Sequence, residues 1–167
     1  SAKYLYTGTR DFIWSIDPVN DELSKLFIHL RDFGEKLFEE KSINFRAYNE
    51  VREKVVLPYG FSRQANLIFK EAMTNAFKYS EAQNVKLTLV RNNNVFFMAF
   101  EDDGKGFSMA AIEKTNGLQN IRDRANRINS ILRISSTPED LSQDRKGLTI
   151  ISLEFNNIKS IKYGVTV

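Results

Sequence analysis

An acid, an amide and an ammonium recur along one stretch of the chain, Asn66-Leu67-Ile68-Phe69-Lys70-Glu71-Ala72-Met73-Thr74-Asn75-Ala76-Phe77-Lys78-Tyr79. Asn75 follows Glu71 by four residues and Lys78 follows it by seven, so on a helix the three share one stripe. An amide oxygen is a hard ligand suited to Mg²⁺, which keeps several waters and takes one or two protein groups plus phosphates. An acid one turn away can orient or polarise an attacking group. Read blandly, the same residues are a solvated helix face. A second constellation, Glu101-Asp102-Asp103-Gly104-Lys105-Gly106-Phe107, follows an apolar run. A carboxylate at a strand end followed by two glycines lets backbone approach a flat or anionic ligand closely. A buried Asp there can accept a hydrogen bond from an exocyclic amine. The bland alternative is a strand-ending turn rich in Asp and Gly. Neither the GxxxxGK[ST] loop nor a GxGxxG opening a helix is present. The third is Asn116-Gly117-Leu118-Gln119-Asn120-Ile121-Arg122-Asp123-Arg124-Ala125-Asn126-Arg127-Ile128. A Gly at a helix start leaves the N–H groups of Gly117, Leu118 and their neighbours free for an anion. Arg122, Arg124 and Arg127 add positive charge, although a basic surface helix reads the same way.

The elements that must hold these groups belong to an ordinary globular chain. Its 167 residues suit one domain, and 42% hydrophobic with 27% charged residues excludes a disordered tail, a collagen-like rod and a coiled coil. A chain of this size buries roughly 70% of its unfolded surface and needs no disulfide or structural metal. The absence of Cys removes disulfide scaffolds, thiolate metal sites and Cys nucleophiles together. A single His, His29, argues against a His-based zinc site or Ser-His-Asp chemistry. The net charge of +3 gives no case for nucleic acid. The longest apolar run, Val95–Phe100, is far short of the roughly 20 residues that span a bilayer, and no signal peptide is visible. The opening Ser1-Ala2, without Met, reads as the cut end of a fragment.

Residues 3–18 form a short prelude, made apolar by Phe12, Ile13 and Trp14, in which Pro18 interrupts any helix. Asn20 or Asp21 is placed to cap an amphipathic helix over about 21–40, with Leu23, Leu26, Phe27, Leu30, Leu37 and Phe38 on its face. Residues 43–48 read as a strand and Pro58-Tyr59-Gly60 as a turn. A second long helix over 62–79 turns Ala65, Ile68, Phe69, Ala72, Met73 and Ala76 inward. Val85, Leu87 and Leu89, the break at Asn92-Asn93-Asn94 and the run Val95–Phe100 describe a β-hairpin. Residues 117–130 read as a helix, and Leu132–Ser135 and Leu148–Phe155 as strands; 158–167 adds a strand or stays loose. Helices and strands interleave without strict βαβα alternation. The packing that follows is α/β (α+β): a two-layer sandwich of one mixed sheet with helices on one face.

Taken in order, the three constellations resemble the ATP-binding catalytic domain of sensor histidine kinases, within the fold shared with gyrase, Hsp90 and MutL (the Bergerat-type ATP-binding fold). Glu71–Tyr79 resembles the asparagine box, Asp102–Gly106 the first glycine box, Asn116–Ile128 the second, and Lys146-Gly147-Leu148-Thr149-Ile150 the closing box. Trp14-Ser15-Ile16-Asp17-Pro18-Val19-Asn20-Asp21 resembles the join between dimerisation helix and catalytic domain in nitrate-sensor-like kinases. The resemblance covers roughly residues 10–156. It implies an end of dimerisation helix and linker at 1–18, a catalytic domain at 19–156 and a tail at 157–167. It implies that Asn75 holds Mg²⁺ against the triphosphate of ATP and that Glu71 occupies the acid position that activates the attacking group. Asp102 would read the adenine amine, Gly104 and Gly106 would let the lid backbone pass, and Gly117 and Leu118 would face phosphate. Lys78 and Arg122 would neighbour phosphate, and Thr149 would contact adenine.

The departures are Tyr79 where a His is common, one glycine (Gly117) in the second glycine box, Leu148 where Thr is usual, and a short lid over Ser108–Thr115. The acceptor motif, a His in a helix rich in Arg, Asp and Leu, is absent; His29 between Ile28 and Leu30 reads as a helix-surface His. The implied activity is phosphoryl transfer from ATP to a His on a dimerisation helix outside this chain, relayed to a response regulator receiver domain. The parent would be a homodimer, its catalytic part in the cytoplasm, with membrane anchoring left open and no direct nucleic-acid partner. The alternatives are a stand-alone serine kinase of the anti-sigma-factor type, a non-catalytic adapter and a gyrase-like ATPase clamp.

Overall fold

The computed structural model describes residues 2–106, 116–156, 161–162 and 165–166, with side chains over 8–106 and 117–156. Period-two alternation sets the sheet. Val85, Leu87 and Leu89 of β2 (Asn84–Asn92) turn inward, as do Phe96, Met98 and Phe100 of β3 (Val95–Asp102) and Ile151, Leu153 and Phe155 of β5 (Leu148–Phe155). With β1 (Asn44–Asn49) and β4 (Ile131–Thr137) they form a five-stranded sheet in the order β1-β2-β3-β5-β4. Only β1 and β2 pair in parallel; the others are antiparallel, so the sheet is mixed. Helices α2 (Leu23–Glu39), α3 (Phe61–Asn75) and α4 (Asn116–Arg127) cover one face, which is the two-layer packing expected from the sequence. Phe38 of α2 stacks between Phe45 and Phe100, centroids 5.7 and 5.9 Å away, and fastens helix to sheet.

The long helix read at 62–79 divides. Its α-helical part ends at Asn75, and Ala76–Ser80 widens into a π-turn closed by Glu81 in the left-handed region. The segment 158–167 contributes β6 (Ile161–Lys162) and β7 (Val165–Thr166), which pair with each other and not with the main sheet. The lid residues Ser108–Thr115 lie outside the described residues.

The prelude is helix α1 (Ala2–Ile16), stopped by Asp17-Pro18 and followed by a 3₁₀ turn, Pro18–Asn20. Neither Asn20 nor Asp21 caps α2. Asp17 caps the 3₁₀ turn instead, Asn20 donates its amide to the Trp14 carbonyl, and Glu22 stands at the N-cap of α2 without a side-chain capping bond. The N–H of Leu23 is satisfied by the Val55 carbonyl, so a tertiary bond does the work of a cap.

Asp11 joins α1 to the two helices beneath it. His29 Nε2 donates to its Oδ1 at 2.8 Å, Asn66 Nδ2 donates to both oxygens at 3.2 and 3.1 Å, and Lys70 Nζ completes an ion pair. The Trp14 ring lies 3.7 Å from that of His29, nearly parallel. His29 is therefore half-buried in a joint and is not the free surface residue expected. Burial would raise the Asp11 carboxyl, but the bonds from His29, Lys70 and Asn66 bring it down to about 2. Its stabilisation is thus complete above an unfolded Asp pKa of about 3.9 and is lost as pH falls towards 2. Acid titration followed by circular dichroism should show this loss in the wild type. Asp11→Asn should lose less stability than the wild type across that window and be less stable at pH 7 by on the order of 2 kcal/mol.

Candidate functional site

A cavity of about 520 Å³ opens between α3, the start of α4 and the ends of β3 and β5. Its floor is two register pairs of adjacent strands, Asp102 beside Thr149 and Phe100 beside Ile151. Asp102 and Thr149 continue the inward-facing phase of their strands, so a carboxylate and a hydroxyl stand where the pattern calls for apolar side chains. Ala72 and Ala76, one turn apart, present only methyl groups and leave the space open. Leu118 closes the α4 side.

Asp102 is 5% exposed. Its Oδ1 accepts the Gly104 N–H at 3.0 Å, and among the described residues Oδ2 has no hydrogen-bond partner. Burial pushes its pKa up, the Gly104 bond opposes this, and the neighbouring Asp103 charge adds to it. Asp103 goes the other way. Burial favours its neutral form, but the Asn84 side chain and the N–H groups of Asn84 and Gln83, aided by Lys146, outweigh that and lower its pKa. Asp103 is thereby a structural clip on β2, and Asp102 is the carboxylate left for a ligand. Thr149 Oγ1 shares a 2.8 Å hydrogen bond with Ser136 Oγ of β4, which orients it.

The glycines act through close approach. A Cβ on Gly104 would meet the Ser80 carbonyl oxygen at 2.2 Å, and one on Gly147 would meet the Gly104 oxygen at the same distance. Three backbone segments thus cross within contact beside the floor, and no side chain fits between them. Gly106 lines the cavity at φ +64°. Gly117 is different: a Cβ there would meet only Glu71 Oε1, at an ordinary 3.5 Å. It lies in the first turn of α4, where backbone N–H groups lack intrahelical partners.

Glu71, Asn75, Asp102, Gly106, Gly117, Leu118 and Thr149 therefore come together around one space. Gly104 stands just behind it, in a smaller groove with Glu81, Asp103 and Lys146. Lys78 and Arg122 are not among the residues lining the cavity. The π-turn takes Lys78 off the stripe that a continuous α-helix would have given it, and it is exposed. The cation on the wall is Lys105, which sequence reasoning passed over although it lies between the two glycines. Phe100, Ile151 and Ser80 were also passed over; the first two were legible from strand phase. Among the described residues no three His, Cys, Asp or Glu side chains gather to hold a metal. The Asn75 amide, free of hydrogen bonds to the described residues, is the neutral oxygen ligand the cavity offers. A cavity of this size, with one unpaired carboxylate oxygen, a helix start and a free amide, fits a magnesium-bound nucleotide.

No family model matches the chain. Sensor protein VraS of Staphylococcus aureus strain COL is 27% identical over 131 residues, which cover 71% of this chain and 38% of that protein. The chain thus spans well under half the length of the curated relatives it matches. Among solved structures, the histidine kinase domain of the Erythrobacter litoralis EL346 blue-light activated histidine kinase superposes with a TM-score of 0.63 at 17% identity, covering 85% of this chain and 64% of that one. The catalytic domain of histidine kinase ThkA superposes at 0.63 and 12% identity, covering 81% of this chain and 94% of that one. The fold is that of histidine-kinase catalytic domains. The sequence likeness is to a sensor protein and the fold likeness is to histidine-kinase catalytic domains, and the two point the same way. Among the described residues no helix is long and apolar enough to cross a membrane.

Burying Asp102 ionised costs stability at neutral pH, and the cost disappears as pH falls through its raised pKa and the native state takes up a proton. Asp102→Asn keeps the acceptor for Gly104 and removes the charge. It should melt at or above the wild type at pH 7, with the gap closing in acid; thermal denaturation across pH checks this.

Proposed function

We propose that this chain is the ATP-binding catalytic portion of a two-component sensor kinase. It holds Mg-ATP and transfers the γ-phosphoryl group to a His on a dimerisation helix, for relay to a response regulator receiver domain. Residues 1–18, which include α1, are the end of that helix and its linker, 19–156 are the catalytic domain, and 157–167 are a tail. The Trp14–Asp21 join argues for the nitrate-sensor-like kind. The catalytic part works in the cytoplasm, where ATP is, and the parent is a homodimer.

The observation that carries this reading is Asp102, a nearly buried carboxylate with one oxygen unpaired on the floor of a nucleotide-sized cavity. A purine exocyclic amine donates to that oxygen, and the Thr149–Ser136 hydroxyl pair offers a second polar contact beside it. A base without the amine leaves the carboxylate unmatched, which is where selectivity arises. The flat ring lies against Phe100, Ile151 and the methyl groups of Ala72 and Ala76. The phosphate tail then extends towards Gly117 and Leu118, whose free N–H groups accept negative charge without rearrangement.

Asn75 would hold Mg²⁺, which when bound neutralises phosphate charge. In transfer, the bond from the γ-phosphorus to the bridging oxygen breaks as a bond to the imidazole nitrogen forms, and ADP leaves with the electron pair. Glu71, at the mouth facing Gly117, is placed to orient the incoming group or take its proton. Lys78 and Arg122, outside the wall, act through longer-range charge. The acceptor is not His29, whose ring is stacked on Trp14 and bonded to Asp11.

Titration calorimetry with ADP and Mg-ATP tests the reading. Asp102→Ala should weaken adenine nucleotides by about 10- to 100-fold, the weight of a hydrogen bond to a charged group, with the fold intact. Asn75→Ala should abolish the dependence of affinity on Mg²⁺ while sparing adenosine. Unchanged binding in both would sink the assignment.

A further inference from the structure

Asp11 takes no part in the cavity, yet it closes on three side chains from two other helices. Its partners are poorly placed to manage alone. Asn66 is fully buried, and among the described residues its Oδ1 already lacks a partner; its Nδ2 depends on Asp11. The Lys70 and His29 side chains are 17% and 23% exposed. Taking the carboxylate away leaves a buried amide and a half-buried ammonium without acceptors, so the joint is close to all-or-none. The Trp14–His29 stack fixes the roll of α1 at the same place. One turn away, Arg63 lies over the Phe12 ring.

These contacts give the direction of α1. Within α1, Asp11 meets Asn66 and Lys70 and Phe12 meets Arg63, and the turn that follows α1 brings the Asn20 carbonyl to Ser62. Rising numbers on one segment pair with falling numbers on the other, so α1 lies antiparallel to α3. The chain that leads into Asp11 therefore runs towards the end of α3 that carries Glu71 and Asn75. Lys70 and Glu71 are adjacent residues, about 100° apart around the helix. The clamp and the cavity thus occupy neighbouring stripes of one rigid element.

We propose that Asp11 is a positioning residue. By closing on His29, Asn66 and Lys70 it fixes the register of α1 along α3, and so sets where the acceptor-bearing chain upstream stands relative to the γ-phosphate. An apolar contact alone could slide by a turn; four directional bonds to one carboxylate cannot. This rests on the phosphoryl-transfer reading above. It predicts an effect on transfer without an effect on nucleotide affinity.

The test uses the acceptor-bearing parent dimer, with ADP titration of the same protein alongside. Asp11→Asn keeps the shape and removes the charge; Lys70→Met removes its main counter-ion. Each should lower the transfer rate at saturating ATP at least tenfold, with KM for ATP and ADP affinity within twofold. The double variant should be no slower than the slower single one, and Asp11→Glu should recover part of the rate. A clamp that merely supported the fold would move KM and affinity as well. Transfer that is unchanged, or faster, in a variant that still binds ADP would overturn this proposal alone. A wild type that binds no nucleotide would overturn the nucleotide reading, and this proposal with it.

Discussion

A carboxylate in the inward phase of a central strand cannot be neutral to the fold around it. Asp102 occupies the position after Phe96, Met98 and Phe100 where a fourth apolar side chain would extend the core. Among the described residues its one bond, from the Gly104 N–H, leaves the second oxygen unmatched, and desolvation drives its pKa up. The surroundings are arranged to keep it there. Asp103 takes the competing bonds at the start of β2, Gly104 and Gly147 let the backbone close behind it, and Ala72 and Ala76 withhold the bulk that would fill the space above it. A site that costs stability when empty is the usual signature of one that recovers it on binding.

The helix α3 has three jobs, and its stripes separate them. Ala65, Ile68, Phe69 and Met73 are buried in the core. Glu71 and Asn75 line the cavity, and Asn66 and Lys70 meet α1. Because 3.6 residues make a turn, these stripes lie roughly a third of a turn apart. α3 thus carries the clamp on α1 and the cavity residues in one rigid element. The tie from Arg124 of α4 to Gln64 of α3, at 3.2 Å, extends the same body to the helix whose first turn faces the cavity.

Much of this was open to reading because it depends on local pattern. Strand alternation located all five strands of the main sheet, and the 3.6-residue period located α2, α3 and α4 within a few residues. Asp102 and Thr149 were readable as site residues twice over, from the boxes they resemble and from their violation of strand phase. What escaped was set by other rules. The π-turn at Ala76–Ser80 leaves no mark in a hydrophobic period, so Lys78 was extrapolated along an α-helical stripe that ends at Asn75. The cap of α2 was sought in Asn20 and Asp21, whereas a backbone carbonyl from Val55 supplies it. His29 looked like a surface residue because its partners, Asp11 and Trp14, lie 18 and 15 positions away on another helix. No periodicity links positions that meet only after the chain has folded.

The charge of the cavity wall has a consequence for how a polyphosphate is received. Among the described residues of the wall, two carboxylates, Glu71 and Asp102, face one ammonium, Lys105, and Lys105 is drawn outward towards Glu81, 3.8 Å away. Such a wall does not attract a bare polyanion by Coulomb force. On the proposed function, affinity has to come from the base, where Asp102 is matched and apolar surface is covered, and from backbone N–H groups at the start of α4. The neutral Asn75 oxygen then suits the site better than another carboxylate would. It can ligate a cation that the phosphates bring with them, so that on this reading nucleotide and metal would be recognised as one ligand.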